Sequence, residues 1–296
     1  MVAMPGRSFS GQPDPLSGEG RALSLRLRLH VTALAASPRN EDLETAARYI
    51  EAAFAAQGHQ PQSQYFESGG RRVRNIEVSN QSSIVVGAHY DTVAGSPGAD
   101  DNASAVAVLI ELAPLLGKND TLPVRLVAFA NEEMPYFLTE EMGSAAWAKR
   151  ARERGEKIRA MFSLEMLGYY RDTPGSQRYP APLGLFYPDR GDFVAFVGDL
   201  GARGLVRKSI SHFRKHARFP SEGVAAPGFI PGVSWSDHWS FRRHGYDAIM
   251  VTDTAFYRYP HYHLPSDTPE KLDYERMARV TLGLAAMLKE LANESR

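Results

Sequence analysis

Acidic and imidazole side chains collect where apolar runs end in this chain. His89 and Asp91 close the run that begins at Ser83, and Asp100 and Asp101 lie in the Gly/Pro/Asp-rich loop after it. Glu132 and Glu133 follow Leu126–Ala130, Glu165 ends the run from Met161, and His261 and His263 share a late loop, PHYHLPSDT. Each group has a plain reading by itself. A His-x-Asp pair is often structural, Asp-Asp-Asn before a helix is an ordinary cap, and a Glu pair is usually a solvated face. Glu165 resists such a reading, because Phe162, Leu164, Met166 and Leu167 flank it and burying a carboxylate there without a partner is costly. That stretch has no Lys or Arg beside Glu165, so the partner is a metal ion or a distant basic side chain. Together the carboxylates and imidazoles suit a zinc-like ion, and their number suits two ions bridged by one carboxylate.

The elements that must position these groups follow from periodicity. Leu43, Ala46, Ala47, Ile50, Ala53 and Phe54 recur at helical spacing between an N-cap at Asn40 and a stop at Gly58. Arg72–Val78 alternates as a strand. Ser83–His89, Leu122–Ala130, Arg159–Leu167 and Ala248–Val251 read as buried strands, and helices are expected over Ala103–Leu116, Glu140–Arg154 and beyond Pro269. Strands alternating with helices predict an α/β fold with helices on both faces of a sheet. Sites in such sheets gather at the carboxyl ends of the strands, which is where the acids and imidazoles fall. Residues 1–22 read as an extended N-terminal arm and 23–296 as a single catalytic domain. The basic segment Arg203–Arg218 reads as a solvated helix face.

The chain has 296 residues, with Lys plus Arg equal to Asp plus Glu and no cysteine. It is long enough for a sizeable core. A balanced charge gives no field that marks a nucleic-acid or membrane-surface binder, so neither is expected as a partner. The lack of thiols excludes disulfides, thiolate metal sites and cysteine nucleophiles. Neither an export signal nor a membrane-length apolar run is visible. The expected compartment is the cytoplasm by default, or a secreted or periplasmic location if an N-terminal segment has been removed.

The motifs GAHYDTV, GADDNAS, NEEM, SLEMLG and HLPSDT, in that order over roughly residues 40–290, resemble those of the zinc aminopeptidases. That family includes secreted bacterial leucine-type aminopeptidases, transferrin-receptor-like proteins and glutaminyl cyclases. The resemblance implies a three-layer αβα sandwich around a mixed, mostly parallel sheet. It implies two zinc ions per chain, with cobalt or manganese also compatible. One ion would be held by His89, Asp101 and Glu165, the other by Asp101, Glu133 and His263. By the same resemblance Asp101 is the bridging carboxylate, followed by a peptide bond that is often cis. Asp91 orients His89, Glu132 is the general base, and Tyr262 polarises the substrate carbonyl. His261 is the competing imidazole, but its spacing to Asp267 does not fit the pattern. Two positions depart from it: Glu165 stands where Asp is commoner, and Ala105 where Gly is.

The reaction so implied is metal-assisted hydrolysis of an N-terminal peptide bond, with a peptide or small amide as the partner and the oligomeric state left open. Competing classes are a single-zinc glutaminyl-cyclase-like acyltransferase, a non-enzymatic binding domain, and a hydrolase of a non-peptide amide. The segment Ser236-Asp237-His238 starts a short predicted helix, with Ser236 as its N-cap and His238 either structural or touching substrate. Phe186, Tyr187, Phe229 and Trp235 are read as specificity walls or as core.

Overall fold

The computed structural model describes residues 3–79, 82–118 and 121–294; residues 1, 2, 295 and 296 of the expected arm and domain lie outside the described residues. Its helices are α1 (Gly18–Leu34), α2 (Leu43–Ala56), α3 (Ala105–Leu116), α4 (Gly143–Glu153), α5 (Arg203–His216), α6 (His238–Arg243) and α7 (Tyr274–Asn293). Its strands are β1 (Gln62–Ser68), β2 (Arg71–Val78), β3 (Ile84–His89), β4 (Arg125–Phe129), β5 (Ala160–Glu165), β6 (Val194–Asp199), β7 (Ser221–Ala226) and β8 (Ala248–Thr252). The strands form one sheet in the order β1-β2-β4-β3-β5-β8-β6-β7. The pairings β3–β4, β3–β5, β5–β8 and β6–β7 are parallel; β1–β2, β2–β4 and β6–β8 are antiparallel.

The central strands β3, β4, β5 and β8 are buried at every position, as near-continuous apolar runs require when both faces are covered. One face packs on α1, α2, α3, α5 and α7 through a single apolar core. In α3 nearly every side chain is buried, because it lies between the sheet and α1 and α7. The other face is covered by α4 and α6, where Trp147 stacks on Phe241. Gly87 in β3 is fixed by this packing: a Cβ there would lie 2.2 Å from the Phe129 ring.

Several local expectations need correction. Helix α1 begins at Gly18, inside the segment expected to be extended, and Ser17 caps it by accepting from the Gly20 amide at 3.1 Å. The stretch LSLRLRLHV alternates apolar and polar residues, which hides a helix whose buried stripe is Leu23, Leu27, Val31 and Leu34. Asp42, not Asn40, caps α2, through a bond from the Thr45 amide. The basic face of α5 is not simply solvated. Arg214 donates to the carbonyls of Pro5 and Gly6 at 3.1 Å, Arg218 pairs with Asp14 at 2.6 Å, and Lys215 pairs with Glu290 of α7 at 2.7 Å. The N-terminal segment therefore lies docked on α5 and on β7, whose Ser221 amide donates to Ser8 Oγ at 2.9 Å. Among the described residues no helix is long and apolar enough to cross a membrane.

Candidate metal centre

The carboxyl ends of β3, β4 and β5 lie side by side, and their last residues or following loops carry the chemistry. His89 ends β3 and Glu165 ends β5. Glu132 and Glu133 lie three and four residues beyond β4, in a turn started by Asn131 at φ 58°. Asp101 sits in the irregular turn Ala99–Ser104 before α3, and its peptide bond to Asn102 is cis. His263, on the loop before α7, closes the site.

The structure brings together all five of the ligands expected. His89 Nε2 faces Asp101 Oδ1 at 3.3 Å and Glu165 Oε1 at 3.5 Å. His263 Nε2 faces the other Asp101 oxygen, Oδ2, at 3.1 Å and Glu133 Oε1 at 3.3 Å. Two triads thus share Asp101: His89, Asp101 and Glu165; and Asp101, Glu133 and His263; a third possible group, His89, Glu132 and Glu133, lies beside them without Asp101. Asp101 Oδ1 and His263 Nε2 are buried without a well-formed hydrogen bond, so both point into space a cation would satisfy. Carboxylates outnumber imidazoles, and the donor set of nitrogen and oxygen is that of zinc-class ions. The residues fit a metal pair bridged by Asp101. His261 lies apart, its Nδ1 bound to Ser266 Oγ at 2.9 Å.

The electrostatics report the same surplus of negative charge. Burial opposes the charge on His89, yet Glu165 and Glu132 carry its pKa well above the ordinary value. Burial likewise works against His263, and Asp101 and Glu133 raise it to about 10. Burial and Asp101 push Glu133 up to about 7. Glu132 is raised well above the carboxylate range by burial, against the pull of His89 and with the push of Glu133, Glu165 and Asp237. Asp101, between the two imidazoles, goes the other way: against burial, His263 and His89 hold its carboxyl below the ordinary range, while Glu132 and Glu133 around it are crowded acids.

The supporting groups are more specific than the motifs disclosed. Asp91 accepts from the amides of Glu132 at 3.0 Å and Glu133 at 2.9 Å, and its Oδ1 lies 3.4 Å from His89 Nδ1. It therefore fixes the backbone of the base-and-ligand pair and stands beside the imidazole, whose Nδ1 is buried without a well-formed hydrogen bond. Asp267 accepts from the amides of Asp100 at 2.9 Å and Asp101 at 3.1 Å, and from Tyr259 Oη at 2.7 Å. Ser236 does not cap α6; its hydroxyl donates to Glu165 Oε2 at 2.6 Å. The buried Arg39, which sequence reasoning passed over, donates to the carbonyls of Tyr90, Leu34, Pro97 and Gly98 at 2.7–3.0 Å. It ties the strand end of His89 to the loop of Asp101. Gly98 adopts φ 61°, where a Cβ would lie 2.2 Å from the Asp101 carbonyl oxygen. His238 is buried, with Nε2 on the Val233 carbonyl at 2.9 Å; it is structural.

Beside the triads opens a cavity of about 380 Å³, lined by Asp101, Glu132, Glu133, Glu165, Tyr262 and His263 at the metal centre and by aromatic and apolar side chains beyond. The Tyr262 ring stacks on His263, centroids 3.7 Å apart. Burial and the neighbouring carboxylates hold its hydroxyl protonated far above the usual range. Tyr187 and Trp235 line the cavity, whereas Phe186 and Phe229 are exposed and do not.

The chain is 42% identical over 269 residues to YfbL of Escherichia coli K12, a match covering 85% of this chain and 82% of that protein. It spans 54–58% of the length of the curated leucine aminopeptidases that it matches at 26–28% identity. Its fold is similar to that of the LapA aminopeptidase of Legionella pneumophila, with TM-score 0.66, 19% identity, and coverage of 96% of this chain and 77% of that one. It is similar to the glutaminyl cyclase of Bacteroides thetaiotaomicron too, with TM-score 0.65, 18% identity, and coverage of 90% and 97%. The sequence pattern of peptidase family M28 matches residues 71–288, a span that opens with β2 and holds both ligand triads and the cavity. The protein belongs to peptidase family M28.

Proposed function

We propose that the protein is a zinc-dependent aminopeptidase that removes N-terminal residues from peptides. The observation that carries this reading is the split of Asp101, with one carboxylate oxygen facing His89 and the other facing His263. Two complete triads favour a co-catalytic hydrolase over a one-zinc cyclase. Zinc, when bound, supplies Lewis acidity that polarises a carbonyl and lowers the pKa of water.

The chain's own residues do the rest. Glu132 lies in the cavity beside the ligands, outside the two triads that share Asp101 though grouped with His89 and Glu133, its Oε2 3.9 Å from His89 Nε2. Its carboxylate takes the proton of the attacking water and hands it to the leaving amine. Asp91 holds the Glu132 and Glu133 amides so that both side chains keep their aim. Tyr262 Oη donates to the oxyanion that develops on the scissile carbonyl. The acids of the site receive the free ammonium of the substrate, which makes cleavage terminal. The cavity sets these charges among largely apolar walls, where they act more strongly than in bulk water.

The test is a panel of aminoacyl anilides, free and N-acetylated, assayed before chelation, after it, and after zinc return. Cleavage of only the free-amine substrates, lost on chelation and restored by zinc, is expected. Equal cleavage of blocked substrates would point to a general amidohydrolase. Cleavage of none, with cyclisation of N-terminal glutamine, would replace the peptidase reading by the cyclase.

A further inference from the structure

Among the described residues, half of the sheet's second face carries no α-helix, only loops with short 3-10 turns at Leu183–Leu185 and Ala255–Tyr257. Over β6, β7 and part of β8 the cover consists of the loops around residues 177–187, 227–235 and 254–257, and the cavity lies between those loops and the strands. Register makes its floor readable. Glu165 pairs with Thr252, Thr252 with Ala195, and Ala195 with Glu222. Directly paired residues project to the same face, and all four line the cavity. The floor is thus a row running from a metal ligand, over two short side chains, to a second carboxylate. Three strand spacings of about 4.8 Å separate the two acids by roughly 14 Å.

Glu222 is the one acid on the cavity lining outside the metal centre. Its nearest cation, Arg214, approaches only to 3.7 Å. The Arg214 donors are taken by the Ser221 carbonyl at 2.6 Å, Ser221 Oγ at 3.2 Å and the Pro5 and Gly6 carbonyls at 3.1 Å. Burial raises the Glu222 carboxyl above its ordinary range, opposed by Arg214 and the Ser8 hydroxyl. Beside it, Tyr187 Oη is anchored on the Gly223 carbonyl at 2.6 Å, and the Tyr187 ring stacks on Tyr179. A carboxylate next to aromatic faces in an otherwise apolar chamber is a receptor for an organic cation. Arg178, the one arginine on the lining, is solvent-exposed, where its charge is screened.

We propose that Glu222 makes this cavity selective for substrates whose N-terminal residue is basic, arginine above all. The proposal rests on the aminopeptidase reading. Five bonds carry an extended arginine roughly 6 Å from Cα to the guanidinium carbon. A hydrogen bond adds about 3 Å. The remaining few ångströms are covered by the reach of Glu222 and by the offset of the substrate Cα from Glu165. A leucine side chain ends after two carbon–carbon bonds beyond Cβ and leaves the carboxylate untouched.

The test compares arginine and citrulline p-nitroanilides, which match in length and differ in charge, on the zinc-loaded full chain. A charge-assisted hydrogen bond in such a chamber gives the wild type a preference for arginine of about 10- to 100-fold in kcat/KM. In Glu222→Gln that ratio falls towards one. Equal kcat/KM for the two in the wild type, or an unchanged ratio in the variant, overturns the proposal, and the wild-type comparison decides it even if the variant does not fold. If no anilide is cleaved, the aminopeptidase reading fails by itself. Calorimetric titration of the zinc-loaded protein with argininamide and citrullinamide then still judges the pocket: tighter binding of argininamide supports it, and equal binding removes it.

Discussion

Replacing Asp91 by asparagine keeps the side chain's volume and removes an acceptor where donors converge. In the wild type the two Asp91 oxygens accept from the Glu132 and Glu133 amides at 3.0 and 2.9 Å, and Oδ1 also faces His89 Nδ1 at 3.4 Å. The site is 3% exposed, so water cannot substitute. The amide of asparagine can accept one of those bonds, and its NH₂ must face the other donor. A lost bond to a charged acceptor, leaving a buried donor unpaired, costs about 1–3 kcal/mol, or roughly 5- to 150-fold in an equilibrium. Part of this should appear as lower stability of the metal-free protein in denaturant titration. The rest should appear as zinc affinity, for which losing an outer partner of a metal-bound histidine costs about 10- to 100-fold. A merely structural role would lower stability and leave zinc affinity and the pH profile of kcat untouched. Zinc affinity and kcat within twofold of wild type in Asp91→Asn would refute the assignment of Asp91 as the group that aims both His89 and Glu133.

Glu132→Gln should retain both zinc ions and the fold while kcat falls by about 100- to 10,000-fold; turnover near the wild-type level would remove Glu132 from the base role. Asp101→Asn should weaken both metal sites together, and a zinc titration that loses one ion and keeps the other intact would contradict the bridge. Gly98→Ala places a Cβ against the Asp101 carbonyl at φ 61° and should destabilise the chain by about 1–3 kcal/mol, read as a lower denaturation midpoint. His238 is held down to about 4 by burial, so its neutral form is the native one. The unfolded chain binds this proton first as pH falls, so the stability from His238 is complete above about 6.5 and is lost between about 6.5 and 4, on the order of 3 kcal/mol in all. His238→Asn should flatten that part of the stability–pH curve, and an unchanged slope would show that other groups set it.

What the sequence disclosed and what it hid have physical causes. The strands that carry ligands, β3, β4 and β5, are buried on both faces and therefore stand out as apolar runs, so the acids after them were conspicuous. Strand β7 is the sheet's edge, with Gly223 and Glu222 among small residues, and no run announces it; β6 does carry the apolar run Phe193–Val197, which the reading of buried strands passed over. Helix α1 was masked by arginines at alternate positions. The partners of the ligands were the least legible. Ser236 touches Glu165 from 71 positions away, and Arg39 reaches a loop some 60 residues downstream; neither pairing leaves a local pattern. Glu222 is a surface-like residue in a strand until the register with Ala195 and Thr252 places it on the cavity floor.

The measurement that bears most directly on the account is the number of zinc ions bound per chain, titrated into metal-free protein while hydrolysis of a free-amine anilide is followed. Two ions per chain are expected, with full activity only when both are present and with one ion lost on His263→Ala. A single ion that supports full activity, indifferent to the loss of His263, would contradict a centre built across Asp101.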